Sequence, residues 1–311
     1  MAANPSLARC LTRSPGNPAI FAARQREKPV KTISHRNFTR SAVLALNCVV
    51  LFTVTVRVND IRVVTSATFR AAYLELVPEC ERVTDSKVET EFGPSMGTRY
   101  NAIPQRLERG EEIDVVIMAG SELGDLIKLG KIRADSRVDL VRSKIGMAVK
   151  AGAPKPDIST VEALKRTLLA ARSIAYSDSA SGVYLFTELW PKLGIIDAIK
   201  GKAEKIEADS VGELVAAGKF EIGFQQISEL VPVKGIDIIG PLPAGAQRIT
   251  VFAAGIPVTS KHPKAAEALI HCLASPGAYS AIKKSGLDPM GTSQRGRAKP
   301  VDHVRGKNEL F

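Results

Sequence analysis

Three short segments place hydroxyl side chains where a buried run gives way to a helical one. They are Thr65-Ser66-Ala67-Thr68, Gly93-Pro94-Ser95-Met96-Gly97-Thr98 and Ser177-Asp178-Ser179-Ala180-Ser181-Gly182. Serine and threonine hydroxyls donate hydrogen bonds without bringing a full charge. A helix start adds free N–H groups and a partial positive charge, so each segment has the makings of a reversible anion site. Any one of them also reads as an ordinary helix cap. Three at equivalent places are more specific, because ligands of open parallel sheets bind at the carboxyl ends of strands.

Other chemistries find less support in the residues. Between positions 61 and 290 the histidines are His262 and His271, both late in the chain, so no Ser–His–Asp set is suggested. His262 precedes Pro263 at a helix start and reads as a surface cap; His271, in an apolar helix, reads as a core or interface residue. Asp114 stands before a buried run and reads as a partner for loop amides. Glu188 and Trp190 read as packing or surface residues. The GxG occurrences lack the GxGxxG fingerprint of a dinucleotide site, and no cofactor is expected. Cys10, Cys48, Cys80 and Cys272 form no CxxC or other metal spacing, so no metal is expected either. Cys80 and Cys272 fall on helices that can share a lobe and could pair in an oxidising compartment; two separate, half-buried thiols are the expectation.

The elements that must position these loops alternate. IRVVT (61–65), KVETEF (87–92) and IDVVIM (113–118) read as strands, separated by helical stretches at 69–83, where Pro78 is expected to kink or end the helix, and before Gly110. A short helix over 121–130 follows, and KIGMAVK (144–150) opens a second series. It contains a helix beginning at Ser159-Thr160 with Glu162 as a capping-box partner. SIAYSD (173–178) and FEIGFQQ (220–226) read as strands, with helices after 182 and over 210–218. GIDIIGPLP (235–243) and RITVFAAGIPV (248–258) are strands, and 264–276 and 278–287 are helices. This rhythm predicts an α/β fold with a mostly parallel sheet.

The net charge of +11 sits at the two ends. Residues 1–60 hold nine Lys and Arg against two acidic residues, and 291–311 hold five against two. The body between them is close to neutral, which argues against nucleic-acid binding by the folded part. A basic stretch (28–40) followed by the apolar run SAVLALNCVVLFTVTV (41–56) has the layout of a secretory signal. At sixteen residues the run is marginal for a membrane span. Export is therefore expected, although no small-x-small cleavage site follows, and a buried first strand at 49–56 is the alternative reading. Residues 1–27 read as loop or as an upstream extension, and 291–311 as a mobile basic tail.

The runs IRVVTSATFRAAYLELV, EFGPSMGT…RLERGEEIDVVIM, YSDSASGVYLFTELWPKLGI and VGELVAAGKFEIGFQQISEL, in this order, resemble the substrate-binding proteins of molybdate-type ABC transporters over about 61–290. The resemblance implies a type II periplasmic binding fold: two α/β lobes, each with a mostly parallel sheet, joined by a two-strand hinge that closes over the ligand. Lobe one would combine 61–140 with 240–290, and lobe two would span 141–239. The implied protein is a periplasmic monomer that presents a small anionic ligand to a transporter permease. It would meet the membrane only through that transporter or an uncleaved signal. Carried over by position, the ligand contacts are Ser66, Thr68, Ser95, the Met96 backbone, Ser181, Gly182, Ser210 and Gln226. Gln226 stands where the family commonly has a tyrosine. An amide offers both donor and acceptor, which suits a carboxylate as well as an oxyanion. Arg70, in the first turn after the first loop, could pair with a carboxylate through two donors. Some relatives of this branch isomerise unsaturated tricarboxylic acids such as aconitate; the base would then be Asp178, a cleft glutamate or a histidine.

Overall fold

The computed structural model describes residues 60–207 and 209–291. The apolar run at 41–56, Cys10, Cys48, the 1–27 extension and nearly all of the basic tail lie outside these residues. Among the described residues no helix is long and apolar enough to cross a membrane.

Ten strands form one curled sheet. They are β1 (Asp60–Thr65), β2 (Lys87–Phe92), β3 (Val115–Ala119), β4 (Val138–Lys150), β5 (Ile174–Ser177), β6 (Ala203–Ile206), β7 (Ile222–Gln226), β8 (Ile236–Pro241), β9 (Ile249–Gly255) and β10 (Asp288–Pro289). Their order is β2-β1-β3-β9-β4-β7-β5-β6, with β8 and β10 also pairing with β4. The sheet has two α/β halves. In the first, β2, β1 and β3 run parallel, with β9 antiparallel to β3. In the second, β6, β5 and β7 run parallel, with β4 antiparallel to β7. Parallel pairing is thus confined to three strands per half.

β4 is the strand both halves share. Through Lys144 it pairs with β9, and from Ile145 it pairs with β7. The chain returns between β8 and β9, where the Leu242 N–H donates to the Ile145 carbonyl at 3.0 Å. Two crossing segments therefore connect the halves, the arrangement of a type II periplasmic binding fold. β3 shows why it lies in the middle of its half. Val115, Val116, Ile117, Met118 and Ala119 are all buried, as expected of a strand covered on both faces. One face packs with Phe69, Tyr73, Leu269 and Ile282, the other with Ile103, Leu123 and Leu126. The second half is built around Trp190, Phe224, Met147 and Leu164. At the edge, β2 alternates exposed Lys87, Glu89 and Glu91 with half-buried residues, the charged rim that discourages further strand pairing.

Three sequence expectations change here. The helix Arg70–Thr84 runs through Pro78 without ending. Pro78 and Leu74 both face solvent, so water can satisfy the Leu74 carbonyl that loses its N–H donor at the proline. Thr160 caps the helix Val161–Ala170 by accepting from the Ala163 N–H at 3.0 Å, so Glu162, one position early, is not a capping-box partner. Cys80 and Cys272 are not separate thiols: they form a disulfide that ties the helix Arg70–Thr84 to the helix Pro263–Leu273.

That bond closes a loop with a sequence separation of 192 residues, and cross-links over long loops restrict the unfolded chain most, with typical effects of about 2–5 kcal/mol. Reduction, or Cys80→Ser with Cys272→Ser, is expected to lower the thermal midpoint by several degrees in calorimetry. An unchanged midpoint after verified reduction would contradict this.

Candidate functional site

A cavity of about 220 Å³ lies between the two halves, at the carboxyl ends of β1, β5 and β7. Ser66, Thr68, Ser95, Ser177 and Ser179 supply its hydroxyls, and Arg99, Asp178, Glu207, Asp209, Gln225 and Glu229 its charged and amide groups.

The loop after β1 turns through a 3-10 segment, Ala67–Phe69, into the helix Arg70–Thr84. Ser66 is 4% exposed and its Oγ has no hydrogen-bond partner among the described residues. A buried hydroxyl without a partner is costly, which marks Ser66 as a donor held for something that enters the cavity. The loop after β2 depends on Gly93, where a Cβ would come within 2.1 Å of the Asn101 carbonyl oxygen. Ser95 Oγ accepts from the Ala119 N–H at 3.0 Å, which leaves its own proton free to donate.

In the loop after β5, Ser177 Oγ lies 2.9 Å from both Ser179 Oγ and Ser181 Oγ. Ser177 and Ser179 line the cavity, whereas Ser181 is fully buried behind them. Gly182 is a packing requirement: a Cβ there would overlap the Ser177 carbonyl at 1.6 Å. The helix starting at Ala180 therefore sits hard against the strand end, with Ser179 and Ala180 facing the cavity.

The fourth strand end supplies the most unusual group. β7 runs directly into a short helix, Ile227–Leu230, which carries Glu229. Thr68 Oγ1 donates to Glu229 Oε1 at 2.6 Å, and Gln225 Nε2 donates to Oε2. The Thr68 bond spans the cleft, because Thr68 belongs to the first half and Glu229 to the second. Burial is the largest influence on this carboxyl and raises its pKa above the ordinary glutamate value, against the opposing pull of the two hydrogen bonds; Asp178 raises it further. Asp178 is also raised, first by burial, with Arg99 acting the other way. A second bridge crosses the mouth: Arg99 Nη1 donates to Asp178 Oδ2 at 3.3 Å and to the Glu207 carbonyl oxygen.

Of the residues expected from sequence, Ser66, Thr68 and Ser95 line this cavity. Ser181 and Gly182 stand behind its wall. Met96 is half-buried and does not line it. Arg70 and Ser210 line a neighbouring cavity of about 740 Å³ that shares Ala67, Asp209, Gln225 and Glu229 with the first. The Arg70 guanidinium lies over the Phe92 ring, 4.3 Å from its centroid. Gln226 does not face the cavity. Successive strand residues point to opposite sides, so Gln225 takes the cleft face while Gln226, 1% exposed, accepts from Ser143 Oγ of β4 at 2.7 Å. Arg99, Gln225 and Glu229 were not singled out by the sequence. Glu229 could have been, since it is an acidic residue just past a fourth buried strand end.

Asp114 behaves as expected, accepting from the Arg62 and His262 N–H groups and from Ser260 Oγ. His262 sits at a helix N-cap position, but its side chain makes no cap hydrogen bond. His271 is exposed rather than packed in the core. Trp190 is fully buried, and Glu188 pairs with Arg248 at the surface.

A two-half α/β fold with a hydroxyl-lined cleft at its strand ends is the architecture of the solute-binding proteins. The sequence profile of the bacterial extracellular solute-binding proteins matches residues 61–288, and the chain belongs to that family. Its likeness to molybdate-type transporter binding proteins is borne out. Over 237 residues it is 26% identical to the molybdate-binding protein ModA of Azotobacter vinelandii, covering 73% of this chain and 89% of that protein. The solved periplasmic molybdate-binding protein of the same organism superposes with a TM-score of 0.59 at 22% identity, covering 73% of this chain and 98% of that one. A second relative is more similar: an aconitate isomerase of a Pseudomonas species is 45% identical over 257 residues, covering 81% of this chain and 98% of that enzyme.

A carboxyl whose folded pKa is raised holds its proton more tightly in the folded state. Its contribution to stability is complete below the ordinary glutamate value of 4.5 and is lost as pH rises through the raised value. Glu229→Gln removes that loss. The thermal midpoint of the variant relative to the wild type is therefore expected to climb as pH increases above about 4.5. A difference that is flat or falls with pH would contradict the placement of this group.

Proposed function

We propose that the chain is an isomerase of an unsaturated tricarboxylic acid of the aconitate type, built on the solute-binding scaffold. The observation that carries this reading is Glu229: a half-buried carboxyl in the cleft wall, held by Thr68 and Gln225 and raised by its removal from water. Four acidic groups line this cavity, and a site for a bare tetrahedral dianion gains nothing from such groups in its wall. A proton-transfer site does, because a general base works best with a pKa near the operating pH, and burial is the usual means of raising a glutamate there. The 45% identity to an aconitate isomerase over nearly the whole of that enzyme supports the same reading.

The chemistry balances without a co-reactant. Aconitate carries one carboxylate on each carbon of a propene. Removal of a methylene proton by the Glu229 carboxylate leaves an allylic carbanion delocalised toward its carboxylates. Return of that proton to the opposite terminal carbon relocates the double bond, and the conformation held during transfer sets cis or trans geometry. Ser66, Ser95, Ser177 and Ser179 would donate to substrate carboxylates, and closure of the halves would keep bulk water from the carbanion. Asp178 is the other cleft carboxyl whose pKa is raised, first by burial.

Capture of a small anion for a transporter permease is the second reading. The hydroxyl lining and the identity to a molybdate-binding protein favour it. A periplasmic location suits both readings. The Cys80–Cys272 bond supports it, because structural disulfides persist chiefly outside the reducing cytosol.

Purified protein mixed with either aconitate isomer is expected to drive the ultraviolet absorbance toward a common equilibrium value. Glu229→Gln is expected to lower kcat by roughly 10²- to 10⁴-fold, the usual contribution of a positioned acid–base group. Wild-type protein that binds aconitate but leaves each isomer unchanged would sink the isomerase reading in favour of capture.

A further inference from the structure

Arg99 is the one cationic side chain lining the cavity among the described residues. It belongs to the segment after β2 in the first half, yet both of its partners, Asp178 Oδ2 and the Glu207 carbonyl, belong to the second. A single nitrogen, Nη1, makes both contacts; among the described residues Nε and Nη2 make none. That pair of N–H groups is the edge of a guanidinium that matches a carboxylate through two parallel bonds. The other side-chain donors on the cleft wall are neutral hydroxyls and the amides of Asn101 and Gln225. They face Asp178, Glu207, Asp209 and Glu229, whose charge opposes a polyanion unless a cation offsets it.

We infer that Arg99 is the specificity-determining side chain of the cleft. Its Nε–Nη2 edge takes one carboxylate of a polycarboxylate ligand while Nη1 holds the second half shut over it. Choice of ligand and closure then depend on the same guanidinium. The inference rests on the carboxylate reading above and adds the group that enforces it.

The test is calorimetric titration of the intact protein with propane-1,2,3-tricarboxylate, a saturated probe that cannot undergo the double-bond shift, beside turnover of aconitate. Arg99→Ala is expected to weaken binding of the probe about 10- to 100-fold, the range for hydrogen bonds to a charged group. Arg99→Lys should recover only part of that, because an ammonium lacks the two-donor edge. For aconitate, KM should rise by a similar factor with a smaller change in kcat, the mark of binding lost equally from ground and transition states. Unchanged affinity in a folded Arg99→Ala protein overturns the inference. If that variant does not fold, unchanged affinity in Arg99→Lys does so. Wild-type protein that binds the probe through Arg99 but does not convert aconitate upholds Arg99 and removes only the isomerase reading. Wild-type protein that binds no tricarboxylate overturns both.

Discussion

The hydrogen bond from Thr68 to Glu229 joins the two halves across the cleft and fixes an acidic group where an anion would be expected to bind. Much of the structure is arranged around that conflict. A carboxylate drawn away from water is disfavoured in its charged form, and Glu229 is held by two donors that only partly offset its burial. The same enclosure makes the group useful. A carboxylate with a raised pKa is a stronger base, so it is better able to take a proton from a weak carbon acid and, once protonated, to give it back.

The scaffold supplies the enclosure. Each half ends its parallel strands on the same side, so four strand-to-helix loops converge between the halves. β4 and the β8–β9 return are the only crossing segments among the described residues, and they keep the halves in register while leaving the cleft between them. Bridges across the mouth, Thr68 to Glu229 and Arg99 to Asp178, use side chains that also line the cavity. The contacts that join the halves across the cleft therefore also build the site. This coupling suits a scaffold that captures solutes, and it equally suits chemistry on a carbanion that water would quench.

Much of this was legible in the sequence, and the limits have physical causes. The buried strand at 113–118 announces itself because a strand covered on both faces is almost continuously apolar, and the hydroxyl loops after the strands at 61–65, 87–92 and 173–178 follow from strand-end logic. β6, Ala-Glu-Lys-Ile, carries no such pattern: it lies at the sheet edge, where pairing rather than burial makes the strand. Gln225 and Gln226 could not be told apart, since a one-residue difference in phase exchanges the cleft face for the opposite one. Pro78 misled because its cost depends on whether the freed carbonyl meets water, which is a property of the face and not of the residue. The Cys80–Cys272 pairing needed the packing of two helices far apart in sequence. Arg99 was hidden for a similar reason, as its partners come from the other half.

The isomerase reading requires that Glu229 be a raised carboxyl able to exchange a proton within the cleft. The most direct measurement is a ¹³C NMR titration of glutamate-labelled protein, with the Glu229 signal assigned by its absence from Glu229→Gln. The Glu229 carboxyl is expected to titrate clearly above the ordinary glutamate value of 4.5. A Glu229 signal that titrates at or below that value would contradict that reading.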